Sequence, residues 1–193
     1  MPSPMVVTLK PGAVVRTRDL ANLSENPSRL AKRLLREGRL KRLTFGGLFY
    51  VPRRSRFGMV GPDMVEVLEV FLNGGPFVET GPPIWNTLGL GGTRHYSFTL
   101  FYNTKRSGIF TFANSPVYLK RVAFPQPPTL EWFVVDFLEN LESVGLTRGQ
   151  VAPKLVQAIQ EGRFDKTHLT REASTYGTAA TRRFLECLLG EAP

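Results

Sequence analysis

Asn26–Pro52 reads NPSRLAKRLLREGRLKRLTFGGLFYVP. Asn26 suits a helix N-cap, and Pro27 suits the first helical position, where a missing N–H costs nothing. At a 3.6-residue period Leu30, Ala31, Leu34 and Leu35 fall on one side, while Arg29, Lys32, Arg33 and Arg36 fall on the other. Gly38 is placed to stop the helix. Two strand-like runs follow, Arg39–Leu43 and Leu48–Val51, around a turn that holds Gly46 and Gly47. A helix with one apolar and one wholly cationic face, followed by a cationic hairpin, matches a winged helix-turn-helix. The alternative is a solvated basic face on an ordinary helix, and the hairpin's matching sign weighs against it.

Upstream, residues 1–12 contain three prolines and leave room for a very short helix at most. Thr17-Arg18-Asp19-Leu20 reads as a helix start, with Thr17 as N-cap and Asp19 near the positive end of the dipole. That helix should end near Leu23, and Ser24-Glu25-Asn26 should turn into the basic helix. In a helix-turn-helix the second helix reads the major groove from its N-terminal half. Ser28, Arg29, Lys32 and Arg33 are therefore candidate base or phosphate contacts, and Arg36, Arg39, Lys41 and Arg42 candidate phosphate grips. The Gly46-Gly47 tip could approach DNA closely because it carries no side chains. Arg53, Arg54 and Arg56 trail the hairpin and could track the backbone.

Charge placement separates the chain into a head, 1–56, and a body, 57–193. The head holds 13 Lys and Arg against Asp19, Glu25 and Glu37, a net of +10, and the body holds 12 against 13 acids, a net of −1. A polyanion-binding head on a neutral body follows, and nucleic acid is the commonest polyanion. With 42% hydrophobic and 11% aromatic residues over 193 positions, the chain can bury a real core. No apolar run reaches the roughly 18 residues of a membrane helix. The N-terminal MPSPMVVTLKPG lacks the layout of a signal peptide. One cysteine allows no disulfide framework, which fits a reducing cytoplasm.

The string TRDL…LAKRLLREGRLKRLTFGGLFYVP resembles the N-terminal winged helix of AbiEi-family antitoxins. TGPPIWNTLGLGGTRHYSFTLFYNTKRSGIF, LEWFVVDFLENLE and TYGTAATRRFLECL are similar to the body of the same family, so the resemblance spans nearly the whole chain. It implies an autorepressor of a two-gene toxin–antitoxin operon, with a nucleotidyltransferase-like toxin as the partner that the C-terminal part counters. It also implies double-stranded operator DNA, often an inverted repeat, with two copies bound side by side. The abbreviated, Pro-rich N-terminus departs from the family pattern.

Beyond the head the spacing predicts an α+β body, a small antiparallel sheet packed with helices. Residues 57–62 read as a link. Asp63–Leu72 has helical spacing, Phe77-Val78 suggests a short strand, and Ile84–Leu88 a brief helix. Ser97–Asn103, Ile109–Ala113 and Val117–Val122 read as strands, joined by turn formers at Thr104–Gly108 and Asn114-Ser115. Thr129 caps a helix with Leu130, Val134, Phe137, Leu138 and Leu141 as its apolar stripe. Thr147 and Gln150 have capping-box spacing, though Pro153 should break or kink the helix they start. Asp165 and Thr170 could each start a helical turn, and Thr178 could cap a last helix ending at Gly190.

Chemistry-bearing patterns are sparse, and no enzyme, cofactor or metal is expected. Gly89–Gly92 is the one phosphate-loop-like stretch, but it leads into a strand and lacks a following Lys-Ser or Lys-Thr. Arg94, His95 and Tyr96 sit beside it as polar edge residues. His95, His168 and Cys187 are too scattered for a zinc site, and Cys187 reads as a small buried hydrophobe. Asp136, Glu139 and Glu142 read as a solvated helix edge. Two other classes of function compete with the regulator: a nucleotide-binding enzyme using the Gly-rich 89–92 loop, and a protein-interaction module whose basic head binds an acidic partner.

Overall fold

Leu20, Leu30, Ala31, Leu34, Leu40, Phe49 and Val51 close into one small core, and the elements around it account for the first part of the chain. The computed structural model describes residues 9–44, 46–91 and 98–190. The fold is α+β, with two compact units: 1–76 with 109–117, and 77–108 with 118–193.

The first unit begins with β1 (Val14–Arg16) and a 3-10 helix (Thr17–Leu23), then α1 (Pro27–Arg36), β2 (Lys41–Thr44) and β3 (Leu48–Tyr50). The expected caps of α1 are in place. Asn26 Oδ1 accepts the Arg29 N–H at 3.0 Å, an interaction whose loss typically costs about 1 kcal/mol. At the other end Gly38 takes a left-handed φ of +69°, and the N–H groups of Gly38 and Arg39 donate to the Leu35 and Leu34 carbonyls, satisfying groups the last turn leaves open. The strands form an antiparallel sheet ordered β1-β3-β2. Val14 faces Tyr50 and Arg16 faces Leu48, while Lys41 faces Tyr50 and the register shifts between Arg42 and Thr44.

Three details depart from the sequence reading. The helix at Thr17 is 3-10, and Thr17 does not cap it; the Arg16 N–H donates to Asp19 Oδ2 at 2.7 Å instead, because the Thr17 side chain is turned to Gly47. The first hairpin strand starts at Lys41 rather than Arg39. Residues 57–62 are not a plain link, since β4 (Arg53–Ser55) and β5 (Gly58–Val60) pair as a second hairpin.

The first unit also runs past the 56/57 boundary set by charge. Asp63 caps α2 (Met64–Phe71) by accepting the Val65 N–H at 2.8 Å, and Val67 and Leu68 are fully buried. Arg16 donates to the Val70 and Phe71 carbonyls at the end of α2, the latter at 3.0 Å, a favourable place for a cation. Arg18 reaches Asn73 Oδ1 at 2.9 Å. These two cations of the head thus tie α2 into the first unit.

In the second unit, β6 (Phe77–Thr80) is followed by α3 (Pro82–Thr87) and β7 (Thr99–Asn103). A four-stranded sheet is ordered β6-β7-β9-β8, with β8 (Gly108–Phe112) and β9 (Ser115–Arg121); Ile109–Val117, nearly all of β8 and the start of β9, count with the first unit, where the Ala113 N–H donates to the Leu43 carbonyl at 3.0 Å. Ala113 and Asn114 both have positive φ, the pattern of a type I′ hairpin turn. α4 (Leu130–Glu139), α5 (Arg148–Gln160), α6 (Lys166–Tyr176) and α7 (Ala179–Leu189) follow. Thr129, Asp165 and Thr178 cap α4, α6 and α7. Thr170 lies inside α6 and starts nothing. Trp85, Trp132, Phe137, Leu155 and Leu169 anchor this unit's core. α5 is continuous through Pro153. The carbonyl that Pro153 leaves without a donor belongs to Gly149, which is exposed, so water can satisfy it. No helix among the described residues is long and apolar enough to cross a membrane.

Candidate nucleic-acid interface

The amphipathic pattern of α1 resolves into two faces. Leu30, Ala31 and Leu34 are buried, and burial of a leucine side chain stabilises by about 1.5–3 kcal/mol. The same residues therefore fix which side of the helix meets water. Ser28, Arg29, Lys32, Arg33 and Arg36 are all exposed on the other side.

Arg29, Arg33 and Arg36 line one groove of about 290 Å³ with Ser24, Asn26 and Leu30. Three guanidinium groups around one groove make a strongly positive seat for phosphate oxygens, since each presents a planar fork of donors. Glu37, the C-cap of α1, lies 3.7 Å from Arg33 Nε and 3.7 Å from Arg39 Nη1. All three side chains are roughly half exposed, so these ion pairs add little stability. Their effect is to aim the two arginines and to offset part of their charge.

On the hairpin, Lys41 and Arg42 are exposed while Leu43 is buried. The Arg42 guanidinium stands 6.0 Å from the centre of the Phe49 ring, at the outer limit of a cation–π contact. Lys41 and Arg42 share a second groove of about 330 Å³ with Tyr50, Met59 and Val60. Arg53 and Arg54 are exposed on β4, and the Arg53 side chain passes over Gly12.

The turn glycines differ from each other. Gly46 is exposed, with open space where a side chain would stand. Gly47 is turned inward: a Cβ there would lie 2.4 Å from Thr17 Oγ1, and the Gly47 carbonyl accepts the Thr17 N–H at 2.9 Å. The need for glycine at 47 is therefore intramolecular. Of the twelve residues expected at the interface, eleven are exposed and Gly47 is half-buried. Arg29, Arg33 and Arg36 come together in one groove, Lys41 and Arg42 in another, and Lys32, Arg53 and Arg54 line neither.

The second unit corrects the reading of its carboxylates. Asp136 is 4% exposed and accepts hydrogen bonds on both oxygens. Trp85 Nε1 donates to Oδ2 at 2.7 Å, Thr80 Oγ1 donates to the same oxygen, and Asn140 Nδ2 donates to Oδ1 at 3.1 Å. Asn140 Nδ2 also approaches the Tyr102 hydroxyl at 3.0 Å. Burial pushes the Asp136 carboxyl above its ordinary value and outweighs the hydrogen bonds that pull it down. Burial, with the adjacent Asp136 charge, pushes the Tyr102 phenol far up as well. Glu139 is half-buried and accepts both the Thr178 N–H and hydroxyl, fixing the start of α7. Of the three carboxylates only Glu142 is exposed. α4 ends at Glu139, so Glu142 never shares an edge of that helix.

The described part of the glycine-rich stretch is a packed connection. Leu90 is buried, and a Cβ on Gly91 would press on Leu146 and Phe137 at 3.0 and 3.1 Å. Arg163 donates to the Leu88 carbonyl at 2.9 Å. Gly92, Arg94, His95 and Tyr96 lie outside the described residues. Cys187, expected to be buried, is exposed on α7, because Leu185 takes the inward position. Sequence reasoning missed the β4–β5 hairpin. The signal available was Ser55-Arg56-Phe57-Gly58, a polar residue and a glycine bracketing a two-residue loop.

No protein-family model matches the sequence, and no curated protein matches it. In structure the chain is similar to the Rv2827c protein from Mycobacterium tuberculosis, known from a crystal structure. The TM-score is 0.56 at 14% identity, covering 92% of this chain and 71% of that one. At that identity the likeness concerns the fold alone.

Proposed function

We propose that this chain is a DNA-binding transcriptional autorepressor and the antitoxin of a two-gene toxin–antitoxin operon, acting in the cytoplasm. In this reading the 3-10 helix and α1 are the helix-turn-helix, and the β2–β3 hairpin is the wing. α1 enters the major groove with Ser28, Arg29, Lys32 and Arg33 toward base edges and phosphates, as recognition helices do with their N-terminal half. Arg36, Arg39, Lys41 and Arg42 hold the flanking backbone, the exposed Gly46 admits a close approach, and Arg53 and Arg54 add charge beside it. Two copies bind inverted half-sites, and the C-terminal part counters a nucleotidyltransferase-like toxin.

The observation that carries the DNA reading is the division of α1 into a buried leucine face and an exposed face with four cations and no acid. The likeness of the sequence to AbiEi-family antitoxins supports the toxin–antitoxin part. Its test is the Arg29→Ala, Lys32→Ala, Arg33→Ala triple variant. Because all three side chains are exposed, the variant should fold normally and lose retention of duplex DNA from its own promoter region. Sequence-specific retention by the folded triple variant would refute the assignment. A nucleotidyltransferase-like reading frame beside the gene, whose toxicity this chain suppresses on co-expression, tests the antitoxin half.

A further inference from the structure

Among the described residues the β4–β5 hairpin pairs with no third strand, and its register is Arg53 with Val60, Arg54 with Met59 and Ser55 with Gly58. Only Arg56 and Phe57 remain in the loop. Ser55 Oγ accepts the Phe57 N–H at 3.1 Å and donates to the Gly58 carbonyl at 3.3 Å, which locks the turn. At the base, the buried Tyr50 donates its hydroxyl to the Val60 carbonyl at 2.5 Å and lies 3.3 Å from that of Gly61. The ribbon is thus fastened at both ends.

At its tip Phe57 is 86% exposed, and Met59 behind it is 48% exposed. The Arg56 guanidinium sits 4.6 Å from the Phe57 ring centre. Residues 53–60 contain three arginines and no acid. Neither Arg56 nor Phe57 takes a positive φ, so the turn accepts most side chains and gives no reason for a phenylalanine here. An aromatic wedge flanked by cations fits a polyanion that has apolar slots between its charges. Stacked base pairs, reached from the minor groove, have that character, and architectural DNA-binding proteins open base steps with such wedges.

The geometry points to Phe57 as a wedge that enters the minor groove of duplex DNA and partly unstacks one base step, with Arg53, Arg54 and Arg56 on the flanking phosphates. This rests on the reading of the first unit as DNA-binding. Pyrimidine–purine steps, the easiest to unstack, are the favoured targets.

The test uses the full chain with two probes, a fluorescein-labelled mixed-sequence 30-bp duplex and a closed-circular plasmid relaxed by topoisomerase. Phe57→Ala should weaken duplex binding about tenfold, within the range for losing one base–aromatic stack. It should leave the salt slope unchanged and abolish the plasmid unwinding seen with the natural chain. Arg54→Gln should lower the salt slope by about one unit instead. Phe57→Trp should bind and unwind, with its indole fluorescence quenched by the duplex; Trp85 and Trp132, both buried, supply a constant background. Natural binding and unwinding by Phe57→Ala would overturn the wedge, while the DNA reading would stand if the α1 triple variant still failed to bind. If the natural chain bound neither probe, both would fall. If Phe57→Ala lost only adsorption to vesicles of three parts phosphatidylcholine to one part phosphatidylserine, the hairpin would belong to a lipid surface and the wedge would be wrong.

Discussion

Trp85 Nε1 donates to Asp136 Oδ2 at 2.7 Å inside the second unit, with both side chains almost wholly buried. The carboxyl also holds Thr80 and Asn140, so one side chain of α4 gathers β6, α3 and the end of its own helix. Asp136→Ala should leave the Trp85 and Thr80 donors without partners. Each such loss costs about 1–3 kcal/mol, and a domain of this size loses about 2–4 °C per kcal/mol. Thermal unfolding of the full chain checks this. An unchanged midpoint would mean that the cluster contributes nothing.

The same carboxyl sets a pH dependence. Its folded value is raised above the ordinary 3.8 by burial, so the folded state holds the proton more tightly than the unfolded chain does. Stability from this group is therefore greatest below 3.8 and falls as pH rises toward the folded value, where the buried group must ionise. Asp136→Asn removes the titration and keeps a carbonyl acceptor. Denaturant midpoints measured from pH 4 to 8 should show the natural chain losing stability relative to Asp136→Asn as pH rises. A relative gain would mean that the surrounding donors outweigh burial.

Glu37 yields a prediction of opposite kind, a gain in binding. It offsets part of the charge of Arg33 and Arg39 and, as the C-cap of α1, places an acid at the negative end of the helix dipole. Glu37→Gln should tighten duplex binding several-fold at low salt, an effect that fades as salt screens the site. Stability should shift by less than about 0.5 kcal/mol, as for exposed sites generally. Fluorescence anisotropy across a salt series, with a urea curve for each protein, measures both. Weaker binding by the glutamine variant would show that Glu37 acts chiefly to aim the arginines.

The elements legible in the sequence were those that local chemistry fixes. Asn26-Pro27, Gly38, Thr129, Asp165 and Thr178 each mark a helix end through a backbone hydrogen bond or a left-handed φ, and each is found where its chemistry places it. The leucine face of α1 was equally plain, because burial follows period. What stayed hidden depends on residues distant in sequence. Asp136 looks solvated until Thr80 and Trp85, more than 50 positions upstream, are folded against it. Thr17 has the chemistry of a cap, but Gly47, 30 positions on, draws its side chain away. The β4–β5 hairpin was obscured by its length, since three residues per strand are too few to show alternation.

The Thr17–Gly47 contact gives the two glycines of the β2–β3 turn different structural needs. Gly47 has a φ of +79°, and an added Cβ would meet Thr17 Oγ1 at 2.4 Å, whereas Gly46 has a φ of +103° with open space around it. Both alanine variants carry backbone strain of about 1–3 kcal/mol, but only Gly47→Ala adds a collision. Gly47→Ala should therefore be the less stable of the two. Combining it with Thr17→Ala, which removes the hydroxyl, should recover part of the loss, a coupling of about 0.5–3 kcal/mol as for residues in contact. Urea denaturation of the four proteins in that cycle measures the coupling. Strict additivity would mean that the turn relaxes away from Thr17 at no cost. Gly46→Ala, the less strained variant, is then the one in which weakened DNA binding reports on the approach of the tip to the backbone.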